Sequence, residues 1–78
     1  MRDEFKFVGL IKPTKTITCE TNNQETFRPD TSNLTEERFD ALFKLMKNNW
    51  GNAKALIEHE GLKNGLPINP VFIEITQI

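Results

Sequence analysis

A chain of 78 residues has room for one core and buries only about 60 to 65% of the surface its unfolded form exposes. A deep cleft walled off from that core would compete with the fold for apolar residues, which disfavours catalysis before any residue is considered. Ten basic residues against eleven acidic ones leave a net charge of −1, without the excess positive field of a general nucleic-acid binder.

The single cysteine, Cys19, excludes an internal disulfide and fits a reducing, cytoplasmic compartment. No apolar run of signal-peptide length follows Met1-Arg2-Asp3-Glu4, and nowhere do about 18 apolar residues run together. The expectation is one domain over residues 1–78, neither exported nor membrane-bound, with a core rich in its six Phe and one Trp. Asn33-Leu34-Thr35 satisfies the glycosylation sequon, but without an export signal it reads as a helix start.

In chain order, residues 5–12 predict a strand, with Phe5, Phe7 and Ile11 on one side and Val8 and Leu10 on the other. Pro13 ends it. Residues 16–21 alternate Ile17, Cys19 and Thr21 against Thr16, Thr18 and Glu20 and predict a second strand. Asn22-Asn23 suits a tight turn, so residues 24–28 return as a third strand before Pro29-Asp30 closes the meander.

Residues 35–50 carry Phe39, Leu42, Phe43, Met46 and Trp50 at the spacing of one helical stripe. Thr35 is placed at the N-cap, Leu34 and Phe39 form a hydrophobic staple, and Glu36 and Glu37 sit at the positive end of the dipole. Asn48, Asn49 and Gly51 mark a break. Asn52 then caps a second, shorter helix with Ala53, Leu56 and Ile57 inward, ended by Gly61 or Gly65. The stretch 66–70 reads as an extended connection because of its two prolines. Residues 71–78 finish as a strand with Val71, Ile73 and Ile75 inward. The expected architecture is α+β: an antiparallel meander of three strands, two helices, and a C-terminal strand joining the sheet.

Catalytic and metal chemistry finds little support. His59, the one histidine, is flanked by Glu58 and Glu60, which point in different directions on a helix and cannot converge on a metal. It reads as a solvated histidine near a helix end. Cys19 belongs to no Cys or His motif and lies among inward residues, as a small hydrophobe does. Ser32 stands alone. The pairs Glu36 with Asp40 and Glu20 with Glu25 lie on polar faces where carboxylates stay solvated. The four glycines form no phosphate loop. A helix-turn-helix over 53–71 fails because Pro67 would break its recognition helix. Neither cofactor nor metal is expected, and the chain is read as non-enzymatic.

Two surfaces remain as candidates. Lys44, Lys47, Trp50 and Lys54 set a basic run around an aromatic and could serve a small nucleic-acid-binding module. Surplus apolar positions favour a protein partner or self-association instead: Val8 and Leu10 on the second face of the first strand, Leu45 off the helical stripe, and Phe72 and Ile78 beside Glu74 on the outward face of the last strand. The expected function is therefore a small protein-binding regulator or inhibitor, an accessory protein of bacterial or phage type. A minimal enzyme with its site formed between subunits is the remote rival.

Overall fold

The computed structural model describes residues 1–47 and 52–78. In chain order it has strand β1 (Arg2–Ile11), β2 (Thr16–Glu20), β3 (Thr26–Phe27), helix α1 (Glu36–Met46), β4 (Lys54–Glu58), β5 (Leu62–Lys63), β6 (Leu66–Pro67) and β7 (Val71–Gln77). Among the described residues, five strands form an antiparallel sheet in the order β3-β2-β1-β4-β7, with β5 and β6 as a separate hairpin and α1 as the one helix. The α+β class and the joining of the last strand stand. The second helix and the simple three-strand meander are corrected to a larger sheet.

β1 lies in the middle of that sheet, and a bulge decides which of its residues are inside. Phe7 stands opposite Cys19 but Gly9 stands opposite Thr18, so Val8 is an extra residue on β1. The side-chain alternation reverses there. Phe7 and Leu10 consequently both reach the core side, Leu10 opposite the buried Ile17, whereas Ile11 turns outward and is 50% exposed. The expected outward Leu10 and inward Ile11 are thereby exchanged.

β2 follows the predicted alternation, with Ile17 and Cys19 fully buried. The turn after it is organised by Thr21, whose hydroxyl accepts the N–H groups of Asn23 (3.3 Å) and Glu25 (3.2 Å). Gln24 takes the positive φ of 65°. β3 is shorter than expected because the chain then leaves the sheet through the buried Pro29. Asp30 reappears at the opposite edge, where its N–H donates to Pro70 O (2.8 Å) and its carbonyl accepts from Phe72 N–H (3.0 Å).

α1 begins as its residues dictate. The Thr35 hydroxyl accepts the Arg38 N–H at 3.1 Å, and Leu34 and Phe39 are both buried at the entry. Phe39 and Met46 fill the core, while Leu42 and Phe43 are half-buried. The predicted continuation to Trp50 falls outside the described residues.

The segment expected as a second helix is β4. Ala53, Ala55, Ile57 and His59 are all buried, a period of two, and Leu56 instead faces out between Glu4 and Glu74. Local preference for helix in Ala-Lys-Ala-Leu-Ile-Glu yields to the hydrogen-bonding partners offered on both sides by β1 and β7. Gly65 does not end a helix either. Asn64 and Gly65, with φ of 55° and 83°, are the two central residues of a tight hairpin turn between β5 and β6, the positive-φ pair that Asn-Gly adopts most readily.

β7 carries two bulges against β4, at Ile73 and at Thr76. Phe72 therefore faces the core opposite Ile57 and is 0% exposed, Glu74 faces out opposite Leu56, and Ile75 returns inward opposite Ala55. The expected outward Phe72 is corrected on this ground. Its ring lies 6.5 Å from that of Phe7, at the centre of a core completed by Ile17, Cys19, Phe39, Met46 and Ile57.

Candidate protein-binding groove

The outer flank of α1 and the edge strand β7 enclose a groove of about 200 Å³. Ala41, Leu42 and Leu45 line its helical wall, Ile75 its strand wall, and the buried Phe72 lies beneath. Arg38 and Glu74 also line it, the Arg38 guanidinium reaching over to β7 and Glu74 standing at the strand edge opposite the outward Leu56. Leu45 sits off the core stripe and is 41% exposed, and Ile78, just beyond the end of β7, is 50% exposed.

An edge strand ordinarily offers its backbone to another chain, but β7 is defended over its first half. The Phe72 N–H is taken by Asp30, the Phe72 carbonyl accepts from Asn33 Nδ2 at 3.1 Å, and Arg38 Nη2 approaches the Ile73 carbonyl at 3.4 Å. Bulges at Ile73 and Thr76 twist the remainder away from regular pairing. What this edge presents is an apolar side-chain groove rather than a free ladder.

A second cleft, about 340 Å³, opens between the β1–β2 turn and the first half of α1. Its charges are matched within it: Lys12 Nζ lies 3.2 Å from Asp40 Oδ1, and Lys15 Nζ lies 3.9 Å from Glu36 Oε1. Lys12 also stands 5.5 Å from the centre of the Phe43 ring. The larger cleft thus presents neutralised charge, and the carboxylates Glu36 and Asp40 are ion-pair partners on its wall.

The predicted protein-binding residues are dispersed. Glu74 lines the groove at the strand edge and Phe72 lies under its floor, Ile78 lies just beyond the end of β7, Val8 is half-buried in the β1 bulge, and Leu10 belongs to the core side. The sequence alone marks Leu42 and Ile75 as inward positions and Leu45 as an apolar residue off the stripe, and gives Arg38 no part in a surface. The predicted basic group is also divided. Lys44 and Lys47 close α1, whereas Lys54 lies on the outward side of β4 opposite Lys6 and Gln77, away from the helix. Trp50 is outside the described residues.

Cys19 and His59 are structural in this arrangement. Burial pushes the Cys19 thiol up to about 12, far from a reactive thiolate. His59 is not a solvated helix-end residue but a buried side chain at the end of β4, with Nε2 2.6 Å from Asp3 Oδ2. Its Nδ1 lies 3.1 Å from the Gly61 nitrogen and 3.0 Å from the Gly61 carbonyl oxygen. Outside the core side, Arg2 bonds Glu58 and holds that carboxyl below its ordinary range. Among the described residues no group of three His, Cys, Asp or Glu side chains could hold a metal ion, and no helix is long and apolar enough to cross a membrane.

The fold and groove define an α+β domain in which one helix covers one face of an antiparallel sheet and leaves an apolar furrow along the sheet edge. The sequence matches no protein-family model and no curated protein.

Proposed function

We propose that the domain is a small non-enzymatic protein-binding regulator or inhibitor that acts by seating a partner in the groove between α1 and β7. The observation that carries this reading is the exposed Leu45 beside Leu42 and Ile75, with Arg38 and Glu74 also lining the groove. An apolar centre with a polar, charged rim is the anatomy of a protein interface, and its anchors commonly contribute about 2 kcal/mol or more when truncated. The test is selection of binding peptides from a random displayed library against the wild-type protein. Selected peptides should lose the Leu45→Asp variant and retain Thr18→Asp, a substitution on the opposite side of the sheet. Peptides that bind both variants equally would remove the groove as the site.

A further inference from the structure

We propose that Asn64 is a site of self-modification, at which the backbone nitrogen of Gly65 attacks the Asn64 side-chain amide and converts the residue to isoaspartate and aspartate. Asn64-Gly65 is the chain's one Asn-Gly step, and glycine has no side chain to shield the attacking nitrogen. Both residues are exposed, and among the described residues the Asn64 amide holds no hydrogen bond. The hairpin closes through Lys63 and Leu66, which leaves the Gly65 N–H outside the pairing. The other described asparagines are each blocked. The residues that follow Asn22 and Asn23 give their N–H groups to Thr21, Asn23 to its hydroxyl (3.3 Å) and Gln24 to its carbonyl (3.0 Å). The Asn33 amide is held on the Phe72 carbonyl, Asn52 precedes the fully buried Ala53, and Asn69 precedes Pro70, which has no N–H.

In the step the Gly65 nitrogen gives its proton to water or hydroxide and bonds to Asn64 Cγ, the Cγ–Nδ2 bond breaks, and ammonia leaves. Water then opens the cyclic imide at either carbonyl, giving isoaspartate or aspartate. Closing the ring needs rotation about the Asn64 Cα–C bond, which the closed turn restrains, so the turn must first open. It can open alone, because β5 and β6 pair at only two positions and stand apart from the five-stranded sheet. Each event adds a negative charge to a chain of net charge −1, and isoaspartate lengthens the backbone at the turn by a methylene, which breaks the register of Lys63 with Leu66.

The experiment follows the purified protein in mildly alkaline buffer over days, folded and in urea, by peptide mapping with mass spectrometry. The Asn64 peptide should show the mass shift of amide-to-acid conversion, and a protease that cuts before aspartate but not before isoaspartate separates the two products. The folded protein should convert Asn64 within about tenfold of the rate in urea, because opening of the hairpin is local. Conversion through global unfolding alone would be slower than in urea by about a thousandfold or more. Asn33 and Asn69 should stay intact in the folded protein. Asn64→Gln should remove the isoaspartate from this peptide, and Gly65→Ala, which crowds the attacking nitrogen, should slow its formation both in the folded protein and in urea. A folded protein whose Asn64 stays intact while the chain in urea converts overturns the proposal, since the closed turn then protects the residue. Conversion spread evenly over the asparagines of the folded protein overturns it as well.

Discussion

The imidazole of His59 is fully enclosed, and its Nε2 lies 2.6 Å from the Oδ2 of Asp3, a residue 56 positions away in the chain. Met1 and His59 exchange both backbone hydrogen bonds at 2.8 Å, which ties the start of β1 to the end of β4 at this point. Nε2 faces the Asp3 carboxylate, a group that when ionised can only accept, and Nδ1 lies 3.1 Å from the Gly61 nitrogen and 3.0 Å from the Gly61 carbonyl oxygen. Asp3→Ala leaves the buried Nε2 without its acceptor and should destabilise the domain by about 1 to 3 kcal/mol. Asp3→Asn, which keeps an acceptor oxygen, should recover most of the loss in urea melts. Equal stability of all three proteins would show that the contact contributes nothing.

Phe72 and Leu45 both bear on the groove but should respond oppositely to truncation. Phe72 is 0% exposed against Phe7, so Phe72→Ala should destabilise by about 3 to 5 kcal/mol and leave much of the protein unfolded. Leu45→Ala should change stability by less than about 1 kcal/mol. Thermal melts of the two variants distinguish a core floor from an exposed wall.

Within α1 the stripe is not uniform. Phe39 is 1% exposed and its truncation to Ala should remove about 3 to 5 kcal/mol. Phe43 is only half-buried and lies near Lys12, so Phe43→Ala should cost roughly 1 to 2 kcal/mol. Equal losses in denaturant titrations would place Phe43 deeper than its exposure indicates.

Cys19 ties stability to alkaline pH. Its folded-state thiol is raised to about 12 by burial, above that of the unfolded chain. The stabilising difference is therefore complete below the ordinary thiol range and is lost as pH climbs from there toward about 12. Relative to Cys19→Ala, the wild type should lose stability more steeply over that window. The native thiol should also resist iodoacetamide at neutral pH and react fully in urea; rapid native alkylation would contradict its burial.

Much of the fold is legible in the sequence wherever local signals and the packing agree. The Thr35 cap, the Leu34–Phe39 staple and the alternation around Ile17 and Cys19 each follow from nearest-neighbour chemistry, and each is present. The failures share a different cause. Ala53 to Ile57 satisfies a helical and a strand period at once, and only the neighbours β1 and β7, remote in sequence, select the strand. Asn64-Gly65 did carry a hairpin signal, obscured by the helix assigned before it. The bulges at Val8, Ile73 and Thr76 leave no compositional mark, yet each reverses a face and moves Leu10, Ile11 and Phe72 across the sheet. The groove was missed for the same reason: it joins one flank of α1 to a strand whose inward residues depend on those bulges.

The bridge between Asp30 and Val71 also bears on how the chain reaches this state. β1 and β2 are joined by a short turn and can pair early, but β1 also needs β4, and Asp30 must wait for a strand about forty residues ahead. Contacts of such high order require long loops to close before they are rewarded. Refolding should therefore be governed by arrival of the β4–β7 pair on a preformed β1–β2 hairpin, on the millisecond-to-second scale of sheet-dominated domains. Substitutions at the Asp30 junction should chiefly accelerate unfolding, whereas those at the β1–β2 turn should slow refolding.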